Sequence, residues 1–263
     1  MDSLRNDDRG VSEVIGFVLI VSLILTTIGI VFVGGLGGLE DARDFERVNN
    51  AERAFDVFAN NLQKTARGEA PNRATEISLS AASIEVVDEQ LFSVSEDGQT
   101  IARQPRPIVF SPDGSQTQIT YETGAVIRSD GSGSSVMVRE PDFLIDDERM
   151  VIRVLDTRGG QQSIAGDTTV LIRTTGASPR LRIVERDDPT DIQIQIESEH
   201  TDAWERYLEG ELRAAFDETE TYCTTDGDVV VCGDPGGNYG EITGTIEPEE
   251  LYYASISIDV ELS

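Results

Sequence analysis

The sequence predicts an α+β protein. A long N-terminal helix, first apolar enough to cross a membrane and then amphipathic, leads into a mostly antiparallel, sandwich-like β domain with one short packed helix. Three observations predict this. No charged residue occurs between Val14 and Leu39. Apolar residues then recur at helical spacing to about Arg67. From Thr75 to the end, short alternating segments are separated by turn residues.

The uncharged run covers 26 positions. As a helix it would extend about 39 Å, enough for a hydrocarbon layer of roughly 30 Å. Val14–Val33 is rich in Ile, Val and Leu, and its polar residues are Ser22, Thr26 and Thr27. Their hydroxyls can bond back to helix carbonyls, so they do not prevent insertion. A secretory signal peptide has a shorter apolar core followed by a small-residue cleavage site, and no clear A-x-A pattern follows here. A plain uncleaved anchor fits the length. Charge does not orient it, because Arg5 and Arg9 precede the run while Arg43, Arg47 and Arg53 follow it.

The residues ahead of the run offer a third reading. "DDRGVSEVIGF" sets Arg9-Gly10 directly before the hydrophobic segment. This resembles the class III signal peptide of archaeal type IV pilins and archaellins, and Val11–Gly16 ("VSEVIG") is similar to the "VSPVIG"-type start of haloarchaeal pilins. Glu13 stands where that pattern usually has proline. The resemblance covers about the first 40 residues. It implies a leader over 1–10, recognised through Arg9 and cut by a prepilin peptidase between Gly10 and Val11. It also implies a transmembrane or assembly helix over 11–39, with the N-terminus cytoplasmic and the remainder outside. Membrane lipid before assembly and like or related pilin subunits afterwards would be the partners. Glu13 would be a possible assembly contact, pairing with the Val11 amine of a neighbouring subunit.

After Gly34, Gly35, Gly37 and Gly38, which predict a weak joint, an amphipathic helix is expected over 40–67. Its stripe is Phe45, Val48, Glu52, Phe55, Ala59 and Leu62, with Ala51 and Phe58 beside it and Glu52 as the one misfit. Gly68 and Pro71 end it.

The β domain, 75–263, reads as a series of strands: 76–80, 83–87, 116–122, 125–129, 135–140, 149–156, 168–175, 180–186 and 191–198. Turn signals at Asp97-Gly98, Asp113-Gly114, Asp130-Gly131, Gly159-Gly160 and Asp187-Asp188-Pro189 divide them. Thr201–Phe216 follows as a short helix. Thr201 or Asp202 serves as its N-cap, and Trp204, the only tryptophan, anchors it to the sheet. In "YCTTDGDVVVCG" a type II′ turn at Gly227-Asp228 would set Cys223 opposite Cys232, close enough for a disulfide and suited to an oxidising exterior. An Asp226-Gly227 type I′ turn would put the two out of register. We expect the bridge. Segments 238–246 and 252–262 close the chain as strands, the last woven into the sheet.

The formal net charge is −28, from 49 acidic and 21 basic residues, and Lys64 is the only lysine. That balance argues against nucleic acid and against anionic headgroups as partners. It resembles proteins of extreme halophiles, where carboxylates hold water and dense salt screens their repulsion. No nucleophile–base pair, phosphate loop or metal-ligand spacing stands out. "GDPGG" at 233–237 follows a hairpin and opens no helix. Acidic pairs such as Asp146-Asp147-Glu148 and Asp187-Asp188 are what so acidic a chain shows by chance. His200, just before a helix, is read as exposed or capping. The expectation is therefore of no catalytic residue, no metal and no cofactor, in a surface protein of the pilin kind, a minor subunit or adhesin. A membrane-anchored extracellular binding protein that never assembles is the first alternative, and a secreted hydrolase with an unrecognised site is the second.

Overall fold

In the computed structural model, which describes residues 7–96, 99–146, 148–185, 192–216, 223–232 and 250–263, the first element is α1, Asp7–Ala66. It runs without interruption through the four glycines expected to form a joint. Glycine weakens a helix by about 1 kcal/mol per residue but keeps its amide, so the hydrogen-bond ladder need not break there. The break comes at Gly68 (φ 74°), where the amides of Gly68 and Glu69 donate to the Thr65 and Lys64 carbonyls, a Schellman closure. The chain divides into two units, Met1–Glu46 and Arg47–Ser263.

In the second unit the strands are β1 Asn72–Val86, β2 Phe92–Glu96, β3 Gln99–Arg103, β4 Ile108–Pro112, β5 Gln118–Glu122, β6 Ala125–Ser129, β7 Ser135–Arg139, β8 Leu144–Ile145, β9 Arg149–Arg158, β10 Gln162–Glu185 and β11 Ile192–Glu197. Helix α2, Thr201–Phe216, follows, then β12 Cys223–Asp226, β13 Val229–Cys232 and β14 Glu250–Leu262. They form a nine-stranded sheet, β7-β6-β5-β4-β1-β10-β14-β9-β8, and a five-stranded sheet, β12-β13-β11-β2-β3. Among the described residues every pairing is antiparallel except β14 with β9.

Each face of the large sheet carries a core over part of its width. On one face Ile77, Ile84, Phe110, Tyr121 and Ile258 pack with the last turns of α1. On the other Ile127, Ile152, Val154 and Tyr253 pack with the small sheet and α2. β9 shows the change along one strand: burial alternates from Arg149 to Arg153 and becomes continuous from Val154 to Thr157, where Val154 faces one core and Leu155 the other.

β1 shows why two expected strands are one. Ile77 and Leu79 face the helix-side core from odd positions, while Ala82, Ile84 and Val86 face it from even positions. A bulge between Leu79 and Ala82 absorbs the extra residue. Ala81 (φ 52°) sits there, its amide held by Asp167 Oδ1 at 2.7 Å. A second irregularity, between Thr175 and Ser178, joins the expected 168–175 and 180–186 segments into β10. β2, β3 and β4 were not anticipated, being short and built partly on Ser, Thr and Gln. The expected strand at 238–246 and the turns at Asp97-Gly98 and Asp187-Asp188-Pro189 lie outside the described residues.

The helical stripe on α1 also differs from expectation. Val48, Ala51, Phe55, Phe58, Ala59 and Leu62 are buried, while Phe45 is 62% exposed. Glu52 lies at the flank of the stripe, 3.7 Å from the Arg128 guanidinium, so it does not interrupt the core. Phe58 meets Tyr121 edge-on with ring centroids 5.2 Å apart.

Candidate functional site

The residues with the clearest physical demand are those of Glu13–Gly34. This stretch has a mean hydropathy of 2.8, and no position in it is buried. Phe17, Leu23, Ile30 and Val33 are each more than 60% exposed. Thr26 Oγ1 donates to the Ser22 carbonyl at 2.7 Å and Thr27 Oγ1 to the Leu23 carbonyl at 2.8 Å, so both hydroxyls are satisfied within the helix. A helix whose threonine hydroxyls bond its own carbonyls and whose apolar side chains point to every side is suited to a hydrocarbon solvent. Arg9, Gly10 and Val11 have helical backbone at its start, and Glu13 is exposed at its edge.

Cys223 and Cys232 form a disulfide. β12 and β13 pair in the register that sets them opposite, with Cα atoms 4.1 Å apart. Gly227 has φ 57° and Asp228 is not in the positive-φ region, so the turn is of the II′ kind.

A buried polar node that no residue spacing announces lies where α2 meets the large sheet. Glu122, at the end of β5, is fully enclosed, and both the Trp204 indole N–H and the Ser198 hydroxyl donate to its Oε2 at 2.7 Å. His200 Nε2 lies 3.9 Å from the other carboxylate oxygen and 3.1 Å from Thr120 Oγ1. Burial pushes the Glu122 carboxyl above its ordinary range; His200, Trp204 and Ser198 oppose that shift without cancelling it. The hairpin that holds Glu122 turns at Thr123 (φ 47°) and Gly124 (φ 101°), and a β-branched residue at positive φ is an uncommon choice.

His200 is thus buried rather than exposed, and its cap is made by the main chain. Its carbonyl accepts the amides of Ala203 and Trp204. Asp202 does not cap the helix; it accepts the amide and hydroxyl of Ser135 on β7. Burial pushes its carboxyl up, but those bonds and Arg206 outweigh burial and hold it below the usual range. Trp204 is buried as expected, packed with Phe143 and Tyr207.

Among the described residues no cluster of His, Cys, Asp or Glu is arranged to hold a metal. Asp147, Asp187, Asp188 and the 233–237 loop lie outside the described residues. Glu122 and His200 are enclosed without a cavity in which a substrate would meet them; the space beside Glu122 is about 10 Å³. Their arrangement fixes α2 against β5.

These features define an α+β protein with one N-terminal helix long and apolar enough to cross a membrane, and a disulfide-bonded domain of mostly antiparallel sheets. The chain belongs to a family of unknown function, DUF7289, matched over residues 9–247. No curated protein and no solved structure matches it.

Proposed function

We propose that the chain is a pilin-like surface subunit. A prepilin peptidase cuts it between Gly10 and Val11, the apolar helix holds it in the membrane, and that helix then packs with the helices of like or related subunits in a filament. The β domain faces outward, as a minor subunit or adhesin. The observation that carries this reading is the placing of Arg9-Gly10 directly ahead of the apolar stretch Glu13–Gly34, none of whose positions is buried. Lipid and a bundle of neighbouring helices cover such a surface equally well. The family match supports treating helix and β domain as one unit, because it begins at Arg9 and spans both. The disulfide supports an oxidising location for the domain. The −28 charge supports a medium of high salt.

The test is the N-terminal residue of the mature protein, read by mass spectrometry from membranes and from shed surface material. A start at Val11 is expected. A start at Met1 would leave a simple anchored ectodomain, and a start beyond about residue 36 would mean that the helix is discarded.

A further inference from the structure

Where β3 of the small sheet approaches the end of β9 in the large one, the second unit has a cleft of about 530 Å³. That is the size range of small-molecule sites. Three guanidiniums line it, Arg103, Arg106 and Arg158, against two carboxylates, Glu89 and Asp156. The local balance is therefore +1 in a chain of −28.

Two of the arginines are already paired. Arg106 donates to Glu89 Oε1 at 3.1 Å and to the Val87 carbonyl at 3.0 Å. Arg158 donates through Nε and Nη2 to Asp156 Oδ2 at 3.0 and 2.8 Å, and Ser257 Oγ donates to the same oxygen at 2.9 Å. Arg103 differs. Its Nε donates to Ser255 Oγ at 2.9 Å and its Nη1 to the Ala102 carbonyl at 2.6 Å, both neutral acceptors. Among the described residues no carboxylate meets it, although the chain has 49 acids to offer. Two residues before Ser255 on the same strand, the buried Tyr253 hydroxyl has no hydrogen-bond partner among the described residues. Burial pushes it up to about 12, with Arg103 and Asp156 both acting on it. Among the described residues, this seam therefore holds a cation without a counter-ion beside a hydroxyl without a partner.

We propose that the cleft binds an acidic saccharide, a sugar ring bearing a carboxylate. Arg103 takes the carboxylate, as the planar fork of a guanidinium suits. The Glu89 carboxylate accepts from ring hydroxyls, and the Gln104 amide both donates to and accepts from them. The charge count selects this class over a phosphate. A monoanion matches one unpaired guanidinium, whereas a dianion would face Glu89 and Asp156 with too little positive charge. The inference holds whether or not the chain is processed at Gly10, so it stands or falls apart from the filament reading.

The experiment is calorimetric titration of the full chain in detergent micelles with galacturonate, galactose and inorganic phosphate. Galacturonate is expected to bind saturably, and galactose and phosphate about tenfold more weakly or worse. Arg103→Gln is expected to lose about tenfold of the galacturonate affinity, the share of one charge-assisted bond. Gln104→Glu, at an exposed position on the rim, adds a repelling charge without touching the core and is expected to weaken galacturonate while leaving the melting temperature unchanged. If Arg103→Gln melts early, Gln104→Glu carries the test. The proposal is overturned if galacturonate shows no saturable binding, if galactose or phosphate binds as tightly, or if a folded variant binds galacturonate as the parent does.

Discussion

Two stretches of α1 answer to different solvents. From Glu13 to Gly34 apolar side chains point in every direction and none is buried. From Val48 to Leu62 they gather on one side and are buried with the large sheet, while Arg53, Asp56 and Val57 stay outside. The first stretch is long and apolar enough to cross a membrane. In the second the chain brings its own partner. One continuous helix thus serves an all-round hydrophobic demand and a one-sided one, and the distribution of side chains around the axis decides which.

The contrast predicts separable failures. The largest effect is expected for Phe58→Ala, which empties a fully buried site against Tyr121 and should cost about 3–5 kcal/mol, read as a lowered melting temperature of the β domain. Membrane association should be unchanged. The reverse is expected for Ile24→Arg. A charge near the middle of the apolar run should disfavour insertion by roughly 2.5–3.5 kcal/mol, read by membrane fractionation, while the domain melts normally. If either variant damaged both properties equally, the division of labour along α1 would be wrong.

Replacing both Cys223 and Cys232 by serine should lower domain stability by about 2–3 kcal/mol and leave insertion alone, as a chemical-denaturation curve would show.

Glu122 supplies a test in pH. Its folded-state value lies above the ordinary one, so the stability it contributes is present below the usual carboxylate range and is lost as pH rises through the folded value. Melting curves across mildly acidic to neutral pH should therefore decline less steeply for Glu122→Gln than for the parent. An unchanged slope would mean that the node is not protonated on folding. The smallest effect is expected at the flank of the stripe. Arg128→Gln removes the partly exposed pair with Glu52 and should change stability by about 1 kcal/mol or less.

Several elements could be read from the residues because the signal was local. α2 begins and ends where the periodicity of Trp204, Leu208 and Leu212 places it. The hairpin at Gly227 was equally local, but either of two turns puts Gly227 at positive φ, and it is the Asp226–Val229 pairing that sets Cys223 opposite Cys232. The apolar run and its self-satisfied threonines needed only composition and helix geometry. The node around Glu122 was hidden for the opposite reason. Glu122, Ser198 and Trp204 are separated by up to 82 residues, and no spacing in the chain records that they meet. The cleft arginines were equally silent, since Arg103 meets Ser255 across 152 residues.

By itself, then, the sequence determined what depends on neighbours along the chain: the long helix, its change from all-round to one-sided apolarity, the β character of the remainder and the hairpin that carries the disulfide. Tertiary structure alone decided what depends on neighbours in space. It joined β1 across the bulge at Ala81, gave the large sheet two cores, seated β14 between β10 and β9, buried His200 and set Arg103 against the neutral Ser255 hydroxyl. Local propensity falls off within a few residues, whereas burial and charge pairing are set by whichever strands the fold brings side by side.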